Sequence, residues 1–218
     1  MEFGEDHFES LLPPYLTSDQ KSRLKDSLSQ FSIHRGSENS NNEVDYNNFT
    51  TKQHSDYFKQ SDLIYEIRYP HLNEETVEFE KYYTTAIILS NTCDISSENL
   101  HILNKKQSIL APVIDLNCFI EDLSKNDYFT RERLTSFLNE LKLQRITNLF
   151  YISENNGGEE YIALLDKIFW FPTNELNDYI ENINENKLFS LTQFGYYLFL
   201  LKLSFHFCRF PEALDRSV

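Results

Sequence analysis

The stretch Tyr83-Thr-Thr-Ala-Ile-Ile-Leu-Ser-Asn-Thr-Cys-Asp-Ile-Ser96, followed by Ser108-Ile-Leu-Ala-Pro-Val-Ile114, decides how this chain folds. Ala86 to Leu89 is a short apolar run of the kind that forms a strand buried on both faces. It runs into Ser90-Asn-Thr-Cys-Asp94, small polar residues that bring a turn, a thiol and a carboxylate to the strand's end. Strand ends on a rigid sheet are where small domains place their chemistry. A second strand is expected at Ile109 to Ile114. These residues speak to fold; no part of the sequence names a substrate.

Working outward, Asp62 to Tyr69 carries the β-branched and aromatic residues of a strand and is expected to stop at Pro70. His71 to Glu75 reads as a turn, and Thr76 to Glu80 alternates as a half-exposed hairpin strand would. Ser37 to Asn48 is a polar, low-complexity stretch. Before it, Phe3 to Leu12 reads as a helix stopped by Pro13-Pro14, and Thr17 with Gln20 has the spacing of a capping box. The helix so started runs to about Phe31, with Leu24, Leu28 and Phe31 on one face. After the second strand, Asp115 to about Ile146 is helical, capped at Thr130, with Leu134, Phe137, Leu138 and Leu141 sharing a face. Strand pattern resumes at Asn148 to Ser153, turns at Asn156-Gly157-Gly158 and continues through Tyr161 to Phe171. Thr173 caps a short helix, and Ser190 or Thr192 begins a long one. Phe194 to Phe210 is apolar but carries Lys202, His206 and Arg209, whereas a bilayer span needs about 20 apolar residues with few charges. A buried helix is expected. The divisions are an N-terminal helical hairpin at 1–36, a polar linker at 37–57, and a main domain at 58–218 with a helical insertion at about 115–147.

With 218 residues, 40% of them hydrophobic and 15% aromatic, the chain can bury a substantial core, which excludes disorder throughout. Only five glycines occur, and neither GxGxxG nor GxxxxGK[ST] is present, so neither common nucleotide cradle is expected. A net charge of −14 opposes capture of phosphate backbones and suits a basic protein partner. Lys105-Lys106, or Arg131, Arg133, Lys142 and Arg145, would have to supply any local basic patch. The three cysteines, Cys93, Cys118 and Cys208, form no CxxC pair, so no zinc site, disulfide framework or cofactor is expected. Met1-Glu-Phe-Gly-Glu-Asp lacks the basic start and apolar stretch of a signal peptide, and the expectation is a reduced, cytoplasmic protein without a membrane segment.

Cys93-Asp94 is the leading candidate for chemistry, with Cys93 as nucleophile. Asp94 has the wrong charge to stabilise a thiolate, and only His101 or a distant group such as His206 could serve as base. The structural alternative packs Cys93 as a small hydrophobe, with Asp94 or Asn91 hydrogen-bonding the turn. Ser90, Asn91 and Thr92 form the binding or support set around that corner. Asp62 either pairs with Arg68 or caps a turn. Trp170, in Ile168-Phe-Trp-Phe-Pro172, belongs to an aromatic core or to a partner-binding groove. His206 and Cys208 lie two apart on a helix and face different ways, which is poor for metal.

The order of elements resembles the small SH3-like barrel of the PemK/MazF-type toxins. That family starts its first strand with Gly-Asp, runs a central strand like Val-Val-Leu-Ser-Asn and closes the next with Pro-Ile-Thr. The matching positions here are Ser61-Asp62, Ile87-Ile-Leu-Ser-Asn91 and Ala111-Pro-Val-Ile114. A later Asp-Gln-Ile strand leading to a Leu and a terminal helix is similar to Asp166-Lys-Ile-Phe169 through Leu176 and the segment after Lys187. The resemblance spans roughly residues 58–114 and 148–205. It implies an α+β fold: an SH3-like β-barrel with an N-terminal helical hairpin, a helical insertion and a C-terminal helix. The family's ribonuclease chemistry uses an Arg just before the buried strand and a Thr after Pro-Ile, where this chain has Tyr82-Tyr83-Thr84-Thr85 and Asp115. RNA cleavage by 2′-hydroxyl attack needs a cation for the phosphorane charge, together with a general acid and base. The expectation is therefore a non-nucleolytic, cytoplasmic protein-interaction module in a toxin–antitoxin or phage-defence system, with homodimerisation allowed. Two alternatives stay open: a cysteine-dependent enzyme built on Cys93, and an RNA endonuclease with re-sited residues.

Overall fold

The computed structural model describes residues 16–31, 44, 46, 48–52, 55–73, 76, 78–96, 107–155 and 158–207. The helix expected at Phe3 to Leu12 and most of the polar stretch Ser37 to Asn48 lie outside these residues, as do His101, Lys105, Lys106, Asn156, Gly157 and Cys208. In chain order the elements are α1 (Ser18–Phe31), β1 (Thr50–Thr51), β2 (Leu63–Asn73), β3 (Glu78–Ile88), α2 (Thr92–Ile95), β4 (Gln107–Asp115), α3 (Leu116–Ser124) and α4 (Arg131–Lys142). They continue with β5 (Leu149–Ser153), β6 (Glu160–Leu164), β7 (Phe169–Pro172), α5 (Thr173–Asp178), a 3₁₀ turn (Tyr179–Asn182), α6 (Ile183–Asn186), β8 (Lys187–Leu191) and α7 (Gln193–Phe207). The chain is α+β, with one antiparallel eight-stranded sheet.

The apolar run at Ala86 to Leu89 sits at the centre of that sheet, and both of its faces are buried. Ile87 and Leu89 join one core with Leu63, Ala111, Val113 and the helical residues Leu198 and Phe199. Ala86 and Ile88 join a second core on the opposite face, with Ile64, Ile67, Leu110, Phe171 and Leu176. Side chains of this size each contribute roughly 1.5–3 kcal/mol when fully buried, so this one strand anchors two cores. A third cluster packs α3 and α4 through Leu116 and Leu141 onto Tyr151, Ile162 and Leu164.

Several strand limits differ from the sequence reading. Thr76 to Glu80 and Ala86 to Leu89 do not form two strands, because β3 runs unbroken from Glu78 to Ile88. The residues between them, Lys81-Tyr-Tyr-Thr-Thr85, are mostly aromatic and β-branched and offer no break. Pro70 does not end β2 either; it pairs with Lys81. Beyond Ile64, β2 pairs only with β3 among the described residues, and a proline is tolerated where one edge of a strand is open. Within β2 the register shifts between Ile64 and Ile67, and Glu66 takes φ 54°. That bulge lets Ile64 and Ile67, three residues apart, enter the same core.

β4 holds the sheet together by pairing β3 on one side and both β7 and β6 on the other. β6 and β7 act as one strand interrupted by Leu165 to Ile168, which leaves Ala111 and Pro112 unpaired on that side. Ile109 turns its N–H to Ser90 Oγ (2.7 Å) and its carbonyl to the Leu89 N–H (2.9 Å), so its backbone faces β3. Backbone groups alternate sides along a strand, so the nitrogen of Pro112 faces the gap, where no ladder bond is lost.

The sheet is not the closed barrel that the resemblance implies. Its order is β1-β8-β2-β3-β4-β6-β5, and β1 and β5 do not pair. β1 is two residues long, too short to ladder onto a second neighbour. A side chain spans the opening instead. Asn155, just past β5, accepts from the N–H groups of Phe49 (2.9 Å) and Thr50 (3.0 Å) and donates to the Thr50 carbonyl. β1 itself falls inside the stretch read as linker, and β8 where no strand was expected.

The helices follow their local signals. Thr17 N–H donates to Gln20 Oε1 (3.0 Å) and Gln20 N–H to Thr17 Oγ1 (3.2 Å), the reciprocal capping box read from sequence. Asp115 caps α3 and Thr130 caps α4. α7 is buried along much of its length at Phe194, Gly195, Leu198, Phe199, Lys202 and Leu203, and α1 packs on it. Among the described residues no helix is long and apolar enough to cross a membrane.

Candidate functional site

The corner where β2 begins brings together residues from four parts of the chain. Asp62 Oδ2 accepts the Lys59 N–H (2.9 Å), and the Asp62 N–H donates back to the Lys59 carbonyl (3.1 Å), closing a tight turn. Ser61 inside that turn holds φ 74° and donates its N–H to the Ile88 carbonyl (2.8 Å). A non-glycine residue in the left-handed region is uncommon and signals a local constraint. The second partner of Asp62 Oδ2 is the Lys187 ammonium at 2.7 Å, with both side chains almost fully buried. Lys187 also donates to Ser55 Oγ (3.3 Å). Oδ1 of Asp62 is buried and has no hydrogen-bond partner among the described residues. Of the two roles expected for Asp62, it caps the turn and does not pair with Arg68; Arg68 pairs with Glu175, while β8 delivers Lys187 beside Asp62.

Over this corner opens a cavity of about 730 Å³, lined by the Lys59–Asp62 turn, Thr51, Thr92, Ser190 to Gln193, Tyr196 and Tyr197. Gln60 ties its walls together. Its N–H donates to Thr92 Oγ1 (3.0 Å), its Nε2 to the Leu89 carbonyl (2.6 Å), and its Oε1 accepts from the Tyr196 hydroxyl (2.9 Å). Thr192 Oγ1 donates to the Asn48 carbonyl (2.7 Å) and accepts the Gly195 N–H (3.4 Å), capping α7 at the cavity's edge.

Of the residues nominated from sequence, Asp62 and Thr92 line this cavity, and Ser90, Asn91, Cys93, Asp94 and Trp170 do not. Ser90 accepts the Ile109 N–H (2.7 Å) and Asn91 Oδ1 the Cys93 N–H (3.0 Å), both local backbone roles. Cys93 and Asp94 are exposed on α2, so Cys93 is not packed as a small hydrophobe. His206, the one histidine whose side chain is described, lies thirteen residues along α7 from Gln193, about 20 Å down the axis. His206 is thus set well away from the end of α7 that borders the cavity.

Trp170 is not core. It is 61% exposed and pairs across the ladder with Ile109, which is 44% exposed, while Phe169 and Phe171 on either side are buried. Strand alternation sends the central residue of Phe-Trp-Phe outward.

The sequence reading missed Lys187, Gln60 and Tyr196. The period-two pattern of Lys187-Leu-Phe-Ser-Leu191, with Phe189 and Leu191 inward, was the signal for a strand that would carry a basic residue to the Asp62 corner.

A second polar cluster lies under α7. Lys202, 1% exposed, donates to the carbonyl of Gln144, which itself holds φ 59°. Gln144 Nε2 donates to the Tyr151 carbonyl (2.6 Å) and to the Tyr46 hydroxyl (3.0 Å), which donates onward to the Lys142 carbonyl (2.7 Å). Burial pushes the Lys202 ammonium down to about 7 and the Tyr46 phenol well up. Burial alone would raise Glu160, but hydrogen bonds from Lys142 and Tyr151 outweigh it and hold that carboxyl below its usual range. Lys142 is thus engaged by Glu160 and Arg145 by Glu140, which removes two cations from the basic patch considered on α4 and the residues after it. Among the described residues no three His, Cys, Asp or Glu side chains group closely enough to hold a metal ion.

No family model matches this chain, and no curated protein or solved structure matches it.

Proposed function

We propose that this chain is a cytoplasmic protein-interaction module, a divergent and non-nucleolytic relative of the PemK/MazF-type toxin barrels, serving a toxin–antitoxin or phage-defence system. The observation that carries the reading is the exposed pair of Trp170 on β7 and Ile109 on β4, with β7 a strand whose outer edge pairs with no other strand among the described residues. A large aromatic held on a rigid strand beside an open edge is the kind of anchor around which protein interfaces form. The net charge of −14 selects a basic partner, whose Lys or Arg would also stack on the indole.

Two details support the kinship without the nuclease. Ser61, at the position matching the family's glycine, keeps a backbone that glycine adopts without cost (φ 74°). Asp115, at the position of the family's threonine, spends its carboxylate on the N–H groups of Asn117 (2.8 Å) and Cys118 (3.0 Å). Tyr82 and Tyr83, where the family's arginine would stand, are exposed and carry no cation.

Trp170→Ala should abolish capture of a specific protein from the native host, whereas Cys93→Ala should leave capture and any phenotype intact. Purified protein incubated with mixed single-stranded RNA should leave it uncut. Loss of function in a folded Cys93→Ala variant would restore the thiol-enzyme reading, and RNA cleavage the nuclease one.

A further inference from the structure

We infer that the cavity over the Asp62–Lys187 corner is a binding site for a small hydroxylated anion, a sugar phosphate or a polyhydroxy acid. Its volume of about 730 Å³ lies in the range of small-molecule sites. The sign of its charge runs against the rest of the molecule. The chain holds 34 acidic and 20 basic residues, yet among the described lining residues the one carboxylate is Asp62, sealed from solvent and neutralised by Lys187. Lys59 is the cation at the rim, exposed, with its ammonium 5.3 Å from the Tyr57 ring centroid. Thr192 and Gln193 bring the N-terminal end of the fifteen-residue α7 to the same wall, adding partial positive charge.

The hydroxyl requirement comes from the floor and walls. Asp62 lines the cavity and its buried Oδ1 has no hydrogen-bond partner among the described residues, so a ligand O–H that displaces the packing over it would supply the donor it lacks. Unsatisfied buried acceptors are rare, and each calls for an explanation such as a bound water or ligand. Ser190, Thr92 and the tyrosine pair 196 and 197 add hydroxyl groups along the walls. The strained φ of Ser61 belongs to the same turn, and such strain concentrates at ligand sites. This inference is independent of the protein-binding reading, since neither Trp170 nor Ile109 lines the cavity.

The test titrates the isotope-labelled full chain with ribose 5-phosphate, gluconate and neutral ribose, following the backbone amides of Gln60, Ser61, Thr192 and Gln193. One or both anions should shift these amides saturably, with ribose at least about tenfold weaker, the equivalent of one charge-assisted contact. A response to the phosphate alone assigns a phosphorylated ligand, and to gluconate alone a carboxylate. Lys59→Gln, a change at an exposed side chain, should weaken the anion about tenfold and leave ribose unchanged. Asp62→Asn should weaken binding as well; if it unfolds the chain, Lys59→Gln and Ser190→Ala decide. The inference is overturned by shifts absent from these amides with both anions, by ribose binding as tightly as they do, or by Lys59→Gln binding the anion as wild type does.

Discussion

Asp62 and Lys187 are both shut away from water, and each is tolerable there only because of the other. Removing one partner of a buried pair leaves an uncompensated charge and costs about 3–5 kcal/mol, whereas replacing both with apolar side chains is often nearly neutral. Asp62→Leu and Lys187→Met should therefore each destabilise by at least about 3 kcal/mol, and the double variant by much less than their sum. Urea midpoints of the four proteins measure the coupling, and additive losses would show that the pair does not act as a unit. Ser61 makes a companion case. In the left-handed region an L-residue pays roughly 1–2 kcal/mol, so stability should rank glycine at or above serine and valine clearly below at this position. Asp62 was legible as a residue of interest because it heads a strand. Its partner was not, because Lys187 lies far along the chain and only the β2–β8 pairing makes them neighbours.

At the scale of elements, the contact between α7 and β1 depends on a missing side chain. A Cβ on Gly195 would lie 2.6 Å from the Phe49 carbonyl oxygen, a backbone atom that cannot swing aside. That strand is further fixed by the Thr192 N–H donating to the same Phe49 oxygen (2.9 Å) and by the pairing of Thr50 with Leu191. In an isolated helix, Gly→Ala gains close to 1 kcal/mol. Here Gly195→Ala should lose about 1–3 kcal/mol through overpacking, and amide exchange at Thr192 should speed up. A stabilised variant would mean that the helix and β1 are not in close contact. The same elements show what periodicity can reveal. The capping box at Thr17, the apolar α7 and the doubly buried centre of β3 were readable because each depends on neighbours within a few residues. β1 was not, since a strand of two residues takes its identity from a partner brought close only by the fold, and β8 carried only the short alternation of Lys187 to Leu191. The closed barrel that the resemblance implied is not formed; the sheet is open, and the Asn155 side chain after β5 bonds to the backbone at β1.

For the whole molecule, the largest response to solution conditions should come from protons taken up or released on unfolding. Lys202 titrates ordinarily at 10.5 and is pushed down to about 7 by burial in the native protein. Between those values the unfolded chain holds a proton on this lysine that the native protein does not, so stability rises with pH across the window. The slope can approach about 1.4 kcal/mol per pH unit. Below about 7 both states are protonated and the contribution is flat, with the full cost of the buried ammonium present. The buried phenols act with the opposite sign. Burial raises Tyr46, and burial together with Glu160 and Glu159 raises Tyr151 and Tyr161, so above their ordinary value of 10.0 the unfolded chain loses protons first and stability falls. Stability should thus climb from about neutral pH to near 10 and drop beyond it. Lys202→Met, which fills the same space without the ammonium, should remove the climb and keep the alkaline drop. Chemical denaturation of both proteins across this range checks it. A wild-type curve that is flat or falling between pH 7 and 9, or a methionine variant that still climbs, would mean that Lys202 keeps its charge in the folded protein.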